Sequence, residues 1–376
     1  MPERVRLAMD RAMPNIYGGE IVDVSAFVLD RLPSVARTSG PVFAVIGNGH
    51  AAWQMAISNT MSPGDKVLVL ECGRFASLWG IAAQASGIDV EVMNSAPGHP
   101  VDPAAFEQRL TADVDQQIDA VLMVQADTSS SALNDVAAIR AALDRVGHRA
   151  LLMVDCIATL GCMRYEMDAW GVDLTVGASQ KGLMVPPGLG FVWAGPKALL
   201  AYEKATLRNA YFDWASRSGD GPVYTKYSGT PPVTHLYGMA ESLKMIEEEG
   251  LENIWARHNV LAGAVRAAVE AWEALGGLSL YVVDPDARAD SVTTVRTGDV
   301  DAGRLRDICE QGAGLTLGVG MADLADRSFR IGHMGHTNPP VVLGTLATIE
   351  AALVSMRAPM GASGVAAAAS HIAAHL

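Results

Sequence analysis

Six lysines occur in the 376 residues, and Lys181 is the one whose surroundings suggest chemistry. It follows the apolar, β-leaning run Leu174–Val176 and opens the glycine- and proline-rich stretch KGLMVPPGLG, Lys181 to Gly190. An aspartate, Asp155, closes an earlier apolar run, ALLMVD. In an open α/β sheet both residues fall at strand ends, where such folds place their ligands. An amine beside a carboxylate is the pair that pyridoxal phosphate chemistry needs. The amine forms the Schiff base, and the carboxylate keeps the pyridine nitrogen protonated so that the ring accepts electrons. The other lysines have plain explanations: Lys66 lies in the turn SPGDK, Lys197 follows Gly-Pro, Lys204 and Lys244 sit on amphipathic helical stretches, and Lys226 is in a polar loop.

The stretch VFAVIGNGHAAWQMAI offers a second reading. Gly47, Gly49 and Ala52 have G-x-G-x-x-A spacing between a strand and a helix, and Glu71 ends the next strand 24 positions on (71 − 47). That is nearly a dinucleotide fingerprint, with Glu71 on a ribose. The same glycine-rich turn also suits a single phosphate, held by helix N-terminal N–H groups and the helix dipole. The presence of Lys181 favours pyridoxal phosphate over a nicotinamide cofactor. Phe75, in ECGRFASLWG, follows a strand end and either stacks on a cofactor ring or packs in the core. Thr128, in QADTSSS, either donates a hydrogen bond to ring or substrate or is an ordinary loop hydroxyl. Arg330, in SFRIGHMG, either snorkels or faces a cleft as a bidentate carboxylate clamp. His333 and His336 lack a third ligand, so no metal is expected.

From about Val42 to Val192, strand-length apolar runs (FAVIG, KVLVLE, IDVEVM, AVLMVQ, ALLMVD, LTVGAS) alternate with helical patterns such as His50–Thr60 and Val136–Val146. That alternation predicts βα units and a mostly parallel sheet covered on both faces. An aromatic, glycine-rich loop, Tyr211 to Pro232, leads into helical sequence from about His235 to Leu275. Short strand candidates (LSLYVV, SVTTVRT, SFRIGHM) and a last helix, Val341 to Met356, follow. Residues 16–250 are therefore expected to form a large cofactor-binding domain, and residues 251–376, with 1–15, a smaller α+β domain. The alanine-, glycine- and serine-rich tail after Ala358 is expected to be a frayed helix without a role.

Half of the residues are hydrophobic and 18% are charged, which predicts extensive burial and a subunit interface. A net charge of −13 argues against nucleic acid and anionic membranes as partners. No run of 18 apolar residues suggests a spanning helix. The four scattered cysteines (Cys72, Cys156, Cys162, Cys309) lack CxxC spacing, so reduced thiols and a cytoplasmic location are expected.

With these residues placed, the chain resembles the class V aminotransferases of the fold-type I pyridoxal phosphate enzymes, in particular the alanine–glyoxylate and serine–glyoxylate aminotransferases. The resemblance runs from about Met13 to Met356 and rests on GNGHAAW, SPGDKVLVLECGRF, VDCIATLG, GVDLTVGASQKGLMVPPGLGFV, YSGTPP and FRIGHMG. It implies an α/β fold with a mostly parallel seven-stranded sheet and a smaller C-terminal α+β domain. It also implies roles for residues. Lys181 would hold the cofactor covalently, with Gln180 near its phosphate; Asp155 would pair with the pyridine nitrogen and Ile157 lie under the ring. Asn48, Gly49 and His50 would cradle the phosphate, and Phe75 stands where the family often has tryptophan. Thr128 would reach ring or substrate, and Arg330 would grip the substrate carboxylate. Tyr227 and Thr230 match a Tyr-x-x-Thr-Pro motif that reaches the phosphate of the other subunit, implying a homodimer. The implied reaction is transamination from serine, alanine or aspartate to a small 2-oxo acid such as glyoxylate. The lack of a second basic cluster favours a small neutral donor.

The sequence departs from the family in three places. The family's Gly-Pro-rich opening strand has no counterpart before MPERV, so either the start lies elsewhere or the substrate pocket is unusually open. The family's His-x-Glu-Thr run becomes Gln125-Ala126-Asp127-Thr128, and the glycine that follows becomes Ser131. Other readings remain: a lyase or desulfurase, with Cys309 in RDICEQG as the only candidate cysteine, the nicotinamide oxidoreductase already described, or a cofactor-binding protein without activity.

Overall fold

The apolar runs become strands of one seven-stranded sheet because the central ones are long enough to cross it and apolar enough to be covered on both faces, whereas the edge strand DVEVMN has no buried residue. The computed structural model describes residues 1–376. In chain order the large domain comprises α1 (Glu3–Met9), α2 (Glu20–Ala36), β1 (Val42–Gly47), α3 (Gly49–Thr60), β2 (Lys66–Glu71), α4 (Arg74–Ala85) and β3 (Asp89–Asn94). It continues through α5 (Pro103–Thr111), β4 (Ile118–Val124), α6 (Val136–Val146), β5 (Leu151–Asp155), β6 (Leu174–Ala178), β7 (Gly188–Ala194), α7 (Pro196–Lys204) and α8 (Val233–Glu249). The sheet order is β1-β7-β6-β5-β4-β2-β3, with β7 antiparallel to both of its neighbours and the others mutually parallel.

Successive residues of each strand feed opposite layers. From β4, Val121 and Met123 pack with α2, α5, α6 and α8, while Ala120, Leu122 and Val124 pack with α3 and α4. The sheet therefore carries a core on each face, and its strand ends project the site residues from a rigid layer.

The small domain comprises α9 (Leu251–Trp272), β8 (Ser279–Leu280), β9 (Val292–Arg296), α10 (Ala302–Ala313), β10 (Gly318–Val319), β11 (Ser328–Gly332), α11 (Pro339–Met356) and α12 (Gly364–Ala373). Its antiparallel sheet has the order β10-β11-β9-β8. The helical pattern from His235 to Leu275 is two helices, because Gly250 takes φ +81° between α8 and α9.

Two expectations need correction. Residues 1–15 do not join the small domain: α1 packs on α8, and Val5 is fully buried in the large-domain core. The tail is not a frayed helix either. α12 packs along α9, burying Ala368 and Ile372 in the small-domain core. Its alanines allow that close approach, so low side-chain complexity here reflects packing rather than disorder. One helix, α11, is long and apolar enough to cross a membrane. Its Val342, Leu346, Ile349 and Leu353 instead fill the small-domain core.

Candidate active site

Four parallel strands end on the same edge of the sheet. From there β1 leads into Asn48–His50, β2 into Phe75, β4 into Asp127 and Thr128, and β5 ends on Asp155. Lys181 lies in the turn that joins β6 to the reversed β7, so it reaches the same edge. That turn is held by Ser179, whose hydroxyl donates to the Pro186 carbonyl at 2.7 Å. The glycines of PPGLG have a steric cause: a Cβ on Gly190 would lie 2.8 Å from the Asn48 carbonyl oxygen. Gly190 thus lets β7 pass close to the start of α3, while a Cβ on Gly188 would meet the His235 ring at 2.1 Å.

Asp155 is buried, and both of its carboxylate oxygens are held. Oδ1 accepts the Ile157 backbone N–H at 2.7 Å, and Oδ2 accepts the Trp53 indole N–H at 2.7 Å. Burial dominates its pKa and pushes it up to about 7, against those two hydrogen bonds and the charge of Lys181; the nearby Asp127 charge adds to the rise. Lys181 is half-buried and has no hydrogen-bonded or ion-paired partner in the chain. Burial first, and then the charge of Arg330, pull its amine below the usual lysine range, opposed by Asp155 and Cys162.

Arg330 is also half-buried without a carboxylate partner. Its Nε donates to the Val319 carbonyl at 2.9 Å and Nη1 to the Thr128 carbonyl at 2.8 Å, leaving Nη2 free. Burial lowers its pKa, with the charge of Asp127 opposing. A buried guanidinium that is oriented but unpaired suits an anionic ligand. Thr128 thus contributes its carbonyl to Arg330, and its side-chain hydroxyl makes no bond within the chain.

At the start of α3, Asn48 is the N-cap, its side chain accepting from the His50 N–H at 3.0 Å. Asn48 and His50 are exposed, whereas Gly49 is buried. A Cβ on Gly49 would fall 2.1 Å from Ile157 Cδ1, so glycine is what allows the half-buried Ile157 side chain to lie there. Gln180, next to Lys181, has a buried Oε1 without a partner. An unpaired amine and a glycine-lined helix start fit a phosphorylated ring bound outside the chain.

Two residues of this edge escape sequence reasoning. Trp53 lies one helical turn after His50, with ring centroids 4.4 Å apart, and reaches Asp155 from α3. Its spacing from the glycine turn was the available signal. Asp127 is fully buried and caps α4, which has no capping side chain of its own. Its Oδ2 accepts from Phe75 N at 2.8 Å and Ala76 N at 3.1 Å, and its Oδ1 from Ser129 N and Oγ at 2.9 and 2.6 Å. Gly73 makes room, since a Cβ there would sit 2.4 Å from Asp127 Cγ. Asp127→Ala is expected to cost about 3 kcal/mol, because several buried donors lose their acceptor. Urea unfolding measures the loss, and an unchanged midpoint would refute this role. Ser131, the glycine departure, has φ +66° and is tied to Thr294 through a 2.6 Å hydroxyl–hydroxyl bond.

Tyr227 does not stand where the motif predicts. It is fully buried, with its hydroxyl 2.8 Å from Ser25 Oγ in the same chain, so it is not available to a partner subunit. Thr230, three residues on, is exposed. The reading with Glu71 on a ribose fails on topology: four strands separate β1 from β2, so Glu71 cannot serve the Gly47 turn. The desulfurase candidate Cys309 is buried within α10 in the small-domain core, not on a mobile loop. His333 is spoken for as well, between Thr293 Oγ1 at 2.9 Å and the Asp290 carbonyl at 2.8 Å.

A sheet of this order with lysine, aspartate and a phosphate-suited helix start at one edge defines a pyridoxal phosphate enzyme of fold-type I. The chain belongs to the class V aminotransferases: residues 39–329 match that family. It is 38% identical to the L-aspartate–glyoxylate aminotransferase of Paracoccus denitrificans, over 99% of this chain and 93% of that one. It is 39% identical to the serine–glyoxylate aminotransferase of Methylorubrum extorquens, over 89% of this chain and 84% of the relative. Among solved structures, the pyridoxamine–pyruvate aminotransferase of Mesorhizobium loti superposes with a TM-score of 0.91 at 26% identity, covering 100% of this chain and 95% of that one.

Proposed function

We propose that this aminotransferase moves the amino group of a small amino acid, serine, alanine or aspartate, to a small 2-oxo acid, with glyoxylate the foremost acceptor. The observation that carries the reading is a pair of half-buried cations without carboxylate partners, Lys181 and Arg330, close enough for their charges to interact and near buried Asp155. When bound, pyridoxal phosphate supplies the electron sink for the pair left at the substrate Cα. Arg330 holds the substrate carboxylate through its free Nη2 side, which orients the Cα–H bond. Lys181, its basicity lowered by burial, takes the Cα proton as a neutral amine and returns it as an ammonium ion. Asp155 sets a negative charge against the ring nitrogen. Phe75 and Ile157 bound the ring, while Asn48, Gly49, His50 and Gln180 hold its phosphate. Thr128 offers its free hydroxyl to ring or substrate.

The chain is further proposed to act as a homodimer in which Thr230 approaches the partner's phosphate. Exposed aromatic residues near that loop, Tyr211 and Tyr224 with Tyr17 against it, support an interface there. The four free cysteines, three of them buried, suit the cytoplasm. The substrate reading is tested by incubating serine, alanine and aspartate with glyoxylate or pyruvate and measuring glycine or alanine formed. Faster turnover with pyruvate than with glyoxylate for every donor would overturn the acceptor assignment.

Asp155 gives a pH prediction with a definite sign. Its pKa in the cofactor-free protein stands near 7 against an ordinary 3.8, so between those values the folded state holds a proton there that the unfolded chain has lost. The contribution to folding stability is present below the ordinary value and disappears as pH rises toward about 7. Cofactor binding runs the opposite way, since a neutral carboxyl cannot pair with a pyridinium. The affinity of the cofactor-free protein for pyridoxal phosphate is expected to fall below about pH 7, up to tenfold per unit. Titration with pyridoxal phosphate across that range, in wild type and Asp155→Asn, checks it; parallel profiles would refute it.

A further inference from the structure

Most of what surrounds Asp155 is apolar or acidic, yet the proposed chemistry needs it as an anion. The charged groups that act on it are Lys181, from the β6–β7 turn, and Asp127, from the end of β4. The first favours the carboxylate and the second opposes it. Behind it lie Cys156 and Tyr165, both held protonated by burial and therefore uncharged. His50 packs on the Trp53 ring rather than on the carboxylate. Only two hydrogen bonds within the chain reach the carboxylate, and one of them is the backbone N–H of Ile157, which only proline at that position would remove. The other comes from Trp53, which is 1% exposed and stacked on Trp79 with centroids 6.0 Å apart, so its ring is fixed. An indole has a single N–H and no acceptor, so this contact favours the anion over the neutral carboxyl.

We infer that Trp53 is a positioning residue for the cofactor's ring nitrogen: its N–H, fixed on Asp155 Oδ2, holds that group as a carboxylate turned to leave its remaining lone pairs for a pyridinium. A carboxylate offers about four acceptor sites, so the Trp53 and Ile157 bonds leave room for a third donor. Without the indole N–H the buried carboxyl becomes the stronger base, and the proton shared with the pyridine settles on Asp155 instead of the ring. The ring then loses the positive charge that makes it an electron sink. The inference rests on the cofactor reading given above and extends it to a residue that touches neither ring nor substrate.

The test uses 4′-deoxypyridoxine 5′-phosphate, which lacks the aldehyde and so binds without bonding to Lys181, and whose ultraviolet spectrum separates ring-protonated from neutral forms. Wild type is expected to hold it ring-protonated across neutral pH. Trp53→Phe is expected to bind it roughly 10- to 100-fold more weakly, with a visible neutral-ring fraction, as befits one lost hydrogen bond to a charged group. A purely structural role would weaken binding without moving the protonation equilibrium, and unchanged protonation in a folded variant would overturn the inference. Should Trp53→Phe fail to fold, the wild type still decides. In the cofactor-free protein the Trp53 indole N–H resonance should shift with a midpoint near pH 7, and Asp155→Asn should abolish the shift. A resonance that stays flat in wild type would overturn the coupling. Failure of wild type to bind the probe at all would instead refute the cofactor reading, and the role of Trp53 with it.

Discussion

Lys181→Ala is expected to lower turnover by more than about 10⁴-fold while leaving the protein folded. The proton-transfer role alone is typically worth roughly 10²- to 10⁴-fold, and loss of the covalent tether adds to it. Folding should be little affected, because the amine makes no hydrogen bond or ion pair that the chain would miss. The turn around it is held by other groups, chiefly Ser179 against the Pro186 carbonyl. Burial without a partner is a cost that the fold bears at this position, so the alanine variant should melt at the same temperature as wild type or slightly above it. A small amine such as methylamine, added to the variant, should restore part of the proton transfer by entering the space left by the side chain. Undiminished multiple turnover in Lys181→Ala would end the assignment.

Legibility in the sequence followed the range over which each residue acts. Lys181 and Asp155 could be picked out because strand ends and turn composition are local signals, and the α/β class followed from alternating periodicity. The reversed β7 was not readable: its run GLGFVWA is as apolar as a parallel strand, and its direction is set by the short turn after β6. Trp53 and Asp127 were missed because each acts across strands, on a partner about 100 or 50 positions away in sequence. Only the folded sheet makes them neighbours. Tyr227 shows the opposite failure. A motif match fixed its place in the chain but not its burial, and a side chain that is fully covered within its own subunit, against Ser25, presents no surface to another. Alanine-rich α12 looked like a tail because alanine carries no pattern, although small residues are what let it lie close along α9.

Arg330→Gln is expected to reduce kcat/KM by about 10²- to 10³-fold, mostly through KM for both amino donor and 2-oxo acid. Removing one member of a desolvated charge pair costs about 2–5 kcal/mol, and a carboxylate clamp binds ground and transition states alike. Arg330→Lys should raise KM by about tenfold, since the point charge survives but the planar fork is lost. The side chain also braces the site: Nε and Nη1 tie β11 to Val319 and to the Thr128 carbonyl. That bracing would be lost in either variant and would depress activity toward any donor. A donor amine without a carboxylate separates the two roles. If Arg330 clamps the carboxylate, wild type prefers the amino acid over the simple amine by a large factor, and Arg330→Gln collapses that preference. If it only braces, both donors slow together and the preference stays intact. An unchanged ratio, with unchanged KM in Arg330→Lys, would leave this guanidinium a structural strut and require the substrate carboxylate to be held elsewhere.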